Sequence, residues 1–101
     1  MTGYWLRAAA LEDIEEIARY TQREWGARQR EKYLKALFSR FGELARNPMV
    51  GLARDDIAPG VRSFRAGRHI VIYLPDRGGV QIARVLHESM DVRKHMDDET
   101  P

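Results

Sequence analysis

Apolar positions recur at helical spacing through the first half of the chain and in short runs broken by glycine through the second. Tyr4-Trp5-Leu6-Arg7 is a short aromatic stretch that suits an opening strand. Leu11, Ile14, Ala18, Thr21 and Trp25 follow at spacings of three and four, one stripe of a helix that Ile17 widens. Glu12 and Asp13 are expected in its first turn, on the positive end of the helix dipole. Gly26 stops that helix. A second stripe begins at once with Ala27, Leu34, Leu37, Phe41 and Leu44, flanked by Tyr33, Phe38 and Ala45, and ends at Asn47-Pro48. Helices joined by so short a turn form an antiparallel hairpin. Trp25 and Phe41 are read as ordinary core residues of that hairpin.

Residues 49–60 contain Gly51, Pro59 and Gly60 and read as a loop. Strands are expected over 61–66, 68–74 and 80–86, with Gly67 and then Asp76-Arg77-Gly78-Gly79 as the connections. The predicted order is β-α-α-β-β-β. It describes an α+β domain in which an antiparallel sheet packs against an N-terminal helix hairpin, with one helical turn after residue 91. Residues 1–96 are assigned to this domain and 97–101 to an acidic, fraying tail.

Composition narrows the picture. The 101 residues suit one domain, and the 44% hydrophobic content suits a folded one. Without cysteine there are no disulfides or thiolate metal sites. The longest apolar run, residues 70–74, is too short to span a bilayer, and no secretory signal opens the chain, so the cytoplasm is the expected compartment. Net charge is +2, yet residues 61–86 carry five arginines against Asp76, a local +4. Such a surface suits an acidic partner or is simply a solvated face.

Several segments resemble one family in order and spacing. Ala10-x-x-Asp13-Ile14-x-x-Ile17-x-x-Tyr20, Trp25-Gly26 and Asn47-Pro48-x-x-Gly51 are similar to the helical half of the ParE branch of the RelE/ParE toxins. Arg62, Phe64 and His69-Ile70-Val71-Ile72-Tyr73 resemble its central strands, and residues 82–91, ending His87-x-x-Met90-Asp91, resemble its closing signature. The resemblance implies a toxin that blocks DNA gyrase by binding. It also implies a ParD-type antitoxin that holds the toxin inactive in a hetero-oligomer, with DNA contacted only through that antitoxin. No cofactor is implied.

Two surfaces are candidates for the antitoxin. One is the helix hairpin around Ile17, Tyr20, Tyr33 and Phe38, which suits an amphipathic segment. The other is the basic sheet at Arg62, Arg65 and Arg68, which suits carboxylates. The C-terminal part, with Arg84, His87, Met90, Arg93 and Lys94, is the candidate target contact. The sibling RelE branch cleaves mRNA on the ribosome, and under that alternative Arg62, Arg84 and His87, with Arg65 and Tyr73 nearby, would be the catalytic set. Strand alternation places Arg84 with the core residues Ile82 and Leu86, which argues against it, and His87 is read first as a tether for the tail. A third reading is a non-toxic antitoxin-binding module. The three histidines lack zinc-site spacing, and no metal is expected.

Overall fold

The computed structural model describes residues 3–90 and Val92. Strand β1 (Tyr4–Leu6) leads into α1 (Ala8–Trp25) and α2 (Ala27–Arg46), followed by β2 (Leu52–Ala53), β3 (Arg62–Ala66), β4 (His69–Asp76) and β5 (Gly79–His87). The two helices plus a five-stranded sheet, ordered β1-β5-β4-β3-β2, make the expected α+β fold. Two details correct the sequence reading. The sheet is mixed, because β1 lies parallel to β5 in the register Tyr4↔Val80 to Leu6↔Ile82. The segment read as a loop also contributes a two-residue strand, β2, on the outer edge of β3.

Helix α1 starts three residues before the apolar stripe suggested. No acid falls in its first turn. Glu12 and Asp13 therefore sit a turn further in, and Asp13 has a different task, described below. The buried face is Ala10, Ile14, Ile17 and Thr21, while Leu11 is exposed. In α2, Leu37, Phe41, Leu44 and Ala45 are buried. Every residue from 22 to 32 is exposed, so the tip of the hairpin projects beyond the sheet. Trp25, expected in the core, stands on that tip 70% exposed, whereas Phe41 is fully buried as expected.

The main core joins these helical faces to Ala66, Val71, Tyr73, Val80, Ile82 and Val85. Each large apolar side chain buried there contributes about 1.5–3 kcal/mol. Val61, Ile72 and Ala83 form a second cluster on the opposite face of the sheet, where Ile57, Ala58, Ile70, Leu74 and Val92 pack on them. The β4–β5 turn is tighter than predicted: only Arg77 and Gly78 lie between the strands, both with positive φ, a twist that matches a right-handed hairpin. Further along the same pair, Tyr73 opposes Ile82 but Ile72 opposes Arg84, leaving Ala83 as an extra residue. This bulge resets the alternation, so Val80 and Ile82 before it and Val85 after it all face the helices. The predicted helical turn after residue 91 and the acidic tail lie outside the described residues.

Candidate functional site

The bulge aims Arg84 at helix α1. Its Nε and Nη2 donate to the two carboxylate oxygens of Asp13 at 2.8 and 2.9 Å, and Asp13 Oδ2 also accepts the Val85 backbone N–H at 2.9 Å. A two-pronged arginine–carboxylate pair with a third donor is among the stronger polar arrangements a protein makes. The alternation argument against Arg84 therefore needs correcting: the bulge separates Arg84 from the face of Ile82, and its side chain ties the sheet to α1.

Next to this pair an open groove of about 1170 Å³ runs between the helices and β5. Helix α1 lines it with Asp13, Glu16, Ile17, Tyr20 and Thr21, which the helical repeat places on one face. Tyr33 from α2, Arg68 from the β3–β4 turn, and His87 and Met90 beyond the bulge complete it. Consecutive residues from Arg84 to His87 all line the groove, although side chains alternate along a strand. The groove therefore meets the edge of β5 as well as one face. Strand β1 pairs only with Val80 to Ile82, so this part of the edge lies beyond its reach.

A compact polar cluster closes one end. The Tyr33 hydroxyl lies 2.6 Å from His69 Nδ1 and accepts the Arg68 backbone N–H at 3.1 Å. Burial, reinforced by the neighbouring His87, lowers the His69 pKa from 6.5 to about 4, so His69 is neutral near pH 7. Burial likewise raises the Tyr33 pKa. Gly67, at φ 62°, lets the turn pass close to Tyr33, since a Cβ there would lie 2.7 Å from the Tyr33 hydroxyl. His69 and His87 face each other across the β4–β5 ladder, ring centroids 5.4 Å apart and edge to face. His87 Nδ1 accepts the Ser89 N–H at 3.2 Å and lies 2.8 Å from the Ser89 hydroxyl. That contact holds the chain after β5, as the tether reading expected.

The structure thus gathers Ile17, Tyr20, Tyr33 and Arg68, predicted for the antitoxin, in the same groove as Arg84, His87 and Met90, predicted for the target. Ile17 is nearly buried, while Tyr20 is 53% exposed at the rim. Phe38 packs edge to face on Phe41 and does not line the groove. The three arginines read as one basic sheet surface are separated. Arg62 donates to the Met49 and Gly51 carbonyls, Arg65 pairs with Glu88 at 2.9 Å, and of the three only Arg68 lines the groove. The Arg65 hydrogen bond, foremost, lowers the Glu88 pKa. Consequently Arg62 does not join Arg84 and His87. Tyr73 is fully buried, its hydroxyl donating to Pro48 O and accepting the Gly51 N–H, both at 2.8 Å. Arg93 and Lys94 lie outside the described residues. No cluster of acidic, histidine or cysteine side chains among the described residues is arranged to hold a metal. Sequence reasoning missed Asp13, His69 and Trp25 as groove residues. For His69 the signal is the strand register that sets it opposite His87, and for Asp13 it is the bulge that turns Arg84 toward α1.

Residues 4–92 match the family described as the ParE toxin of the type II toxin–antitoxin system parDE. Toxin ParE1 of Mycobacterium tuberculosis is 39% identical over 94 residues, 92% of this chain and 96% of that protein. Toxin ParE of Escherichia coli is 35% identical over 99 residues, 97% and 96% of the two chains. Among solved structures, a chain of the chromosomal ParDE system of P. aeruginosa superposes with a TM-score of 0.73 at 18% identity, covering 86% of this chain and 96% of that one. A chain of the YoeB–YefM complex of Staphylococcus aureus gives 0.57 at 18% identity, with 86% and 97% covered. At that identity these two likenesses show the shared fold.

Proposed function

The chain belongs to the ParE toxin family of type II toxin–antitoxin systems, and from that premise we propose that it inhibits DNA gyrase by binding and that a ParD-type antitoxin silences it by filling the groove. One observation carries the reading: four of the candidate antitoxin residues, Ile17, Tyr20, Tyr33 and Arg68, line the same cleft beside β5 as Arg84, His87 and Met90 of the candidate target contact. A segment seated there covers Tyr20, Trp25 and Met90, all exposed in the free chain. Arg68 contributes a positive charge for an acidic residue of that segment.

The polar groups of the groove suit a binding role. Asp13 and Arg84 neutralise each other, His69 is kept neutral by burial and lies against the Tyr33 hydroxyl, and His87 is engaged by Ser89. Each has a structural partner, and Arg62, one of the arginines suggested for a nuclease, is occupied elsewhere. We assign the target contact to the rim formed by His87 and Met90 together with Arg93 and Lys94, which follow it in sequence. Removal of the chain after residue 91 would also strip Val92 from the second apolar cluster, so charge reversal is the cleaner test. Arg93→Glu with Lys94→Glu should abolish toxicity while antitoxin binding persists; loss of both together would defeat the assignment. For the function itself, DNA and protein synthesis are pulse-labelled minutes after induction without antitoxin. Early loss of DNA synthesis with translation continuing is expected; early collapse of translation would contradict it.

A further inference from the structure

The outward face of α2 carries a line of cations that neither the fold nor the groove uses. Arg28, Lys32, Lys35 and Arg46 recur at i, i+4, i+7 and i+18, with Ser39 at i+11, and so share one face of the helix. All are exposed, and none of the four cations forms an ion pair or a side-chain hydrogen bond among the described residues. They extend over about 27 Å of helix at 1.5 Å per residue. Of the two acids of α2, Glu43 is held by Arg40 at 2.9 Å, and Glu31 flanks the stripe without pairing to it. The first turn of α2 contains no acid, although Arg28 and its neighbour Arg30 stand against the helix dipole there.

We propose that this face of α2 binds the phosphate backbone of duplex DNA without sequence preference. The composition of the stripe points to a polyanion. Protein interfaces are built on an apolar, aromatic centre and are poor in lysine, whereas the exposed large apolar residues of this chain, such as Tyr20, Trp25, Met49 and Leu52, all lie off the stripe. A row of unpaired lysine and arginine side chains instead matches the regular negative charge of a nucleic-acid backbone, where each contact releases a counterion. The stripe faces away from the buried side of α2 and lines no part of the groove, so DNA contact and a filled groove are compatible. The toxin would then touch DNA directly, in place of the expectation that DNA is reached only through the antitoxin.

The test is fluorescence anisotropy of a labelled 20-base-pair duplex, titrated with the purified full chain across salt concentrations. Four phosphate contacts predict a slope of log K against log salt of about −3.6. Replacing Arg28, Lys32, Lys35 and Arg46 together by Gln, a good helix former, should weaken binding at least tenfold at low salt and flatten the slope. Replacing Arg7, Arg19, Arg23 and Arg77 by Gln removes the same charge elsewhere and should change binding less than twofold. Lys32→Glu and Lys35→Glu as single changes should each weaken binding, which guards against misfolding of the fourfold variant. No binding at low salt would overturn the proposal, as would equal losses in the two fourfold variants. Polyglutamate bound as tightly as DNA, with the same loss on removing the stripe, would assign the face to an acidic protein and overturn it too.

Discussion

Asp13 and Arg84, separated by most of the chain, meet through two parallel hydrogen bonds of 2.8 and 2.9 Å, with side chains only 13% and 15% exposed. The pair fastens α1 to the bulged part of β5 and fixes one wall of the groove. Breaking a largely buried pair from one side strands the other charge. Asp13→Ala should therefore cost about 3–5 kcal/mol, and it also leaves the Val85 N–H without its acceptor. Urea unfolding of D13A, R84A and the double variant should show a less than additive loss. Additive losses would mean that the two residues act independently.

His69 makes stability depend on pH in a defined window. Its pKa is about 4 in the folded chain against 6.5 unperturbed. Above pH 6.5 it is neutral in both states and contributes no pH dependence. As pH falls from 6.5 towards 4 the unfolded chain takes up the proton first, so stability drops over that interval and this contribution levels off below it. Since the ring is partly open to solvent, the discounted loss is about 1–2 kcal/mol. Unfolding measured between pH 6.5 and 5 should show the slope in the parent chain and a shallower one in His69→Gln.

Gly67 and Tyr33 constrain each other. A side chain at position 67 would have to adopt φ 62° and would press on the Tyr33 hydroxyl. Gly67→Ala is expected to destabilise by about 1–3 kcal/mol. Tyr33→Phe, which leaves the Arg68 N–H and His69 Nδ1 without the hydroxyl, should cost about 1 kcal/mol. Thermal melts of the two single variants give both values.

Trp25 and Tyr20 separate folding from binding. Both are mostly exposed, so their replacement by Ala should change stability by no more than about 0.5 kcal/mol. If the antitoxin seats in the groove, the same changes should weaken its affinity by about tenfold or more, as expected for aromatic anchors. Calorimetric titration of the two variants with antitoxin checks this, and unchanged affinity would move the antitoxin elsewhere.

The stripes of α1 and α2 and the glycine-bounded strands made the fold legible, because a 3.6-residue or two-residue repeat is a local property of sequence. The groove was legible only in part. Ile17, Tyr20 and Tyr33 lie on periodic helical faces, and Arg68 stands beside a turn glycine, so local patterns found them. The role of Asp13 depended on Arg84, and that of Arg84 on a bulge at Ala83 that breaks the alternation used to place it. Trp25 follows the apolar stripe faithfully, but the buried face of α1 ends at Thr21, so the last turn has nothing to cover it. Arg62, Arg65 and Arg68 looked alike in sequence because residue type does not report which carbonyl or carboxylate lies opposite.

The central claim, gyrase inhibition by binding, is tested most directly with purified components. Gyrase supercoiling of relaxed plasmid is measured with increasing toxin, with and without antitoxin, beside a reconstituted translation reaction given the same toxin. The account predicts that supercoiling falls with toxin, that antitoxin restores it, and that translation continues with its mRNA intact. Undiminished supercoiling with cleavage of ribosome-bound mRNA would contradict it.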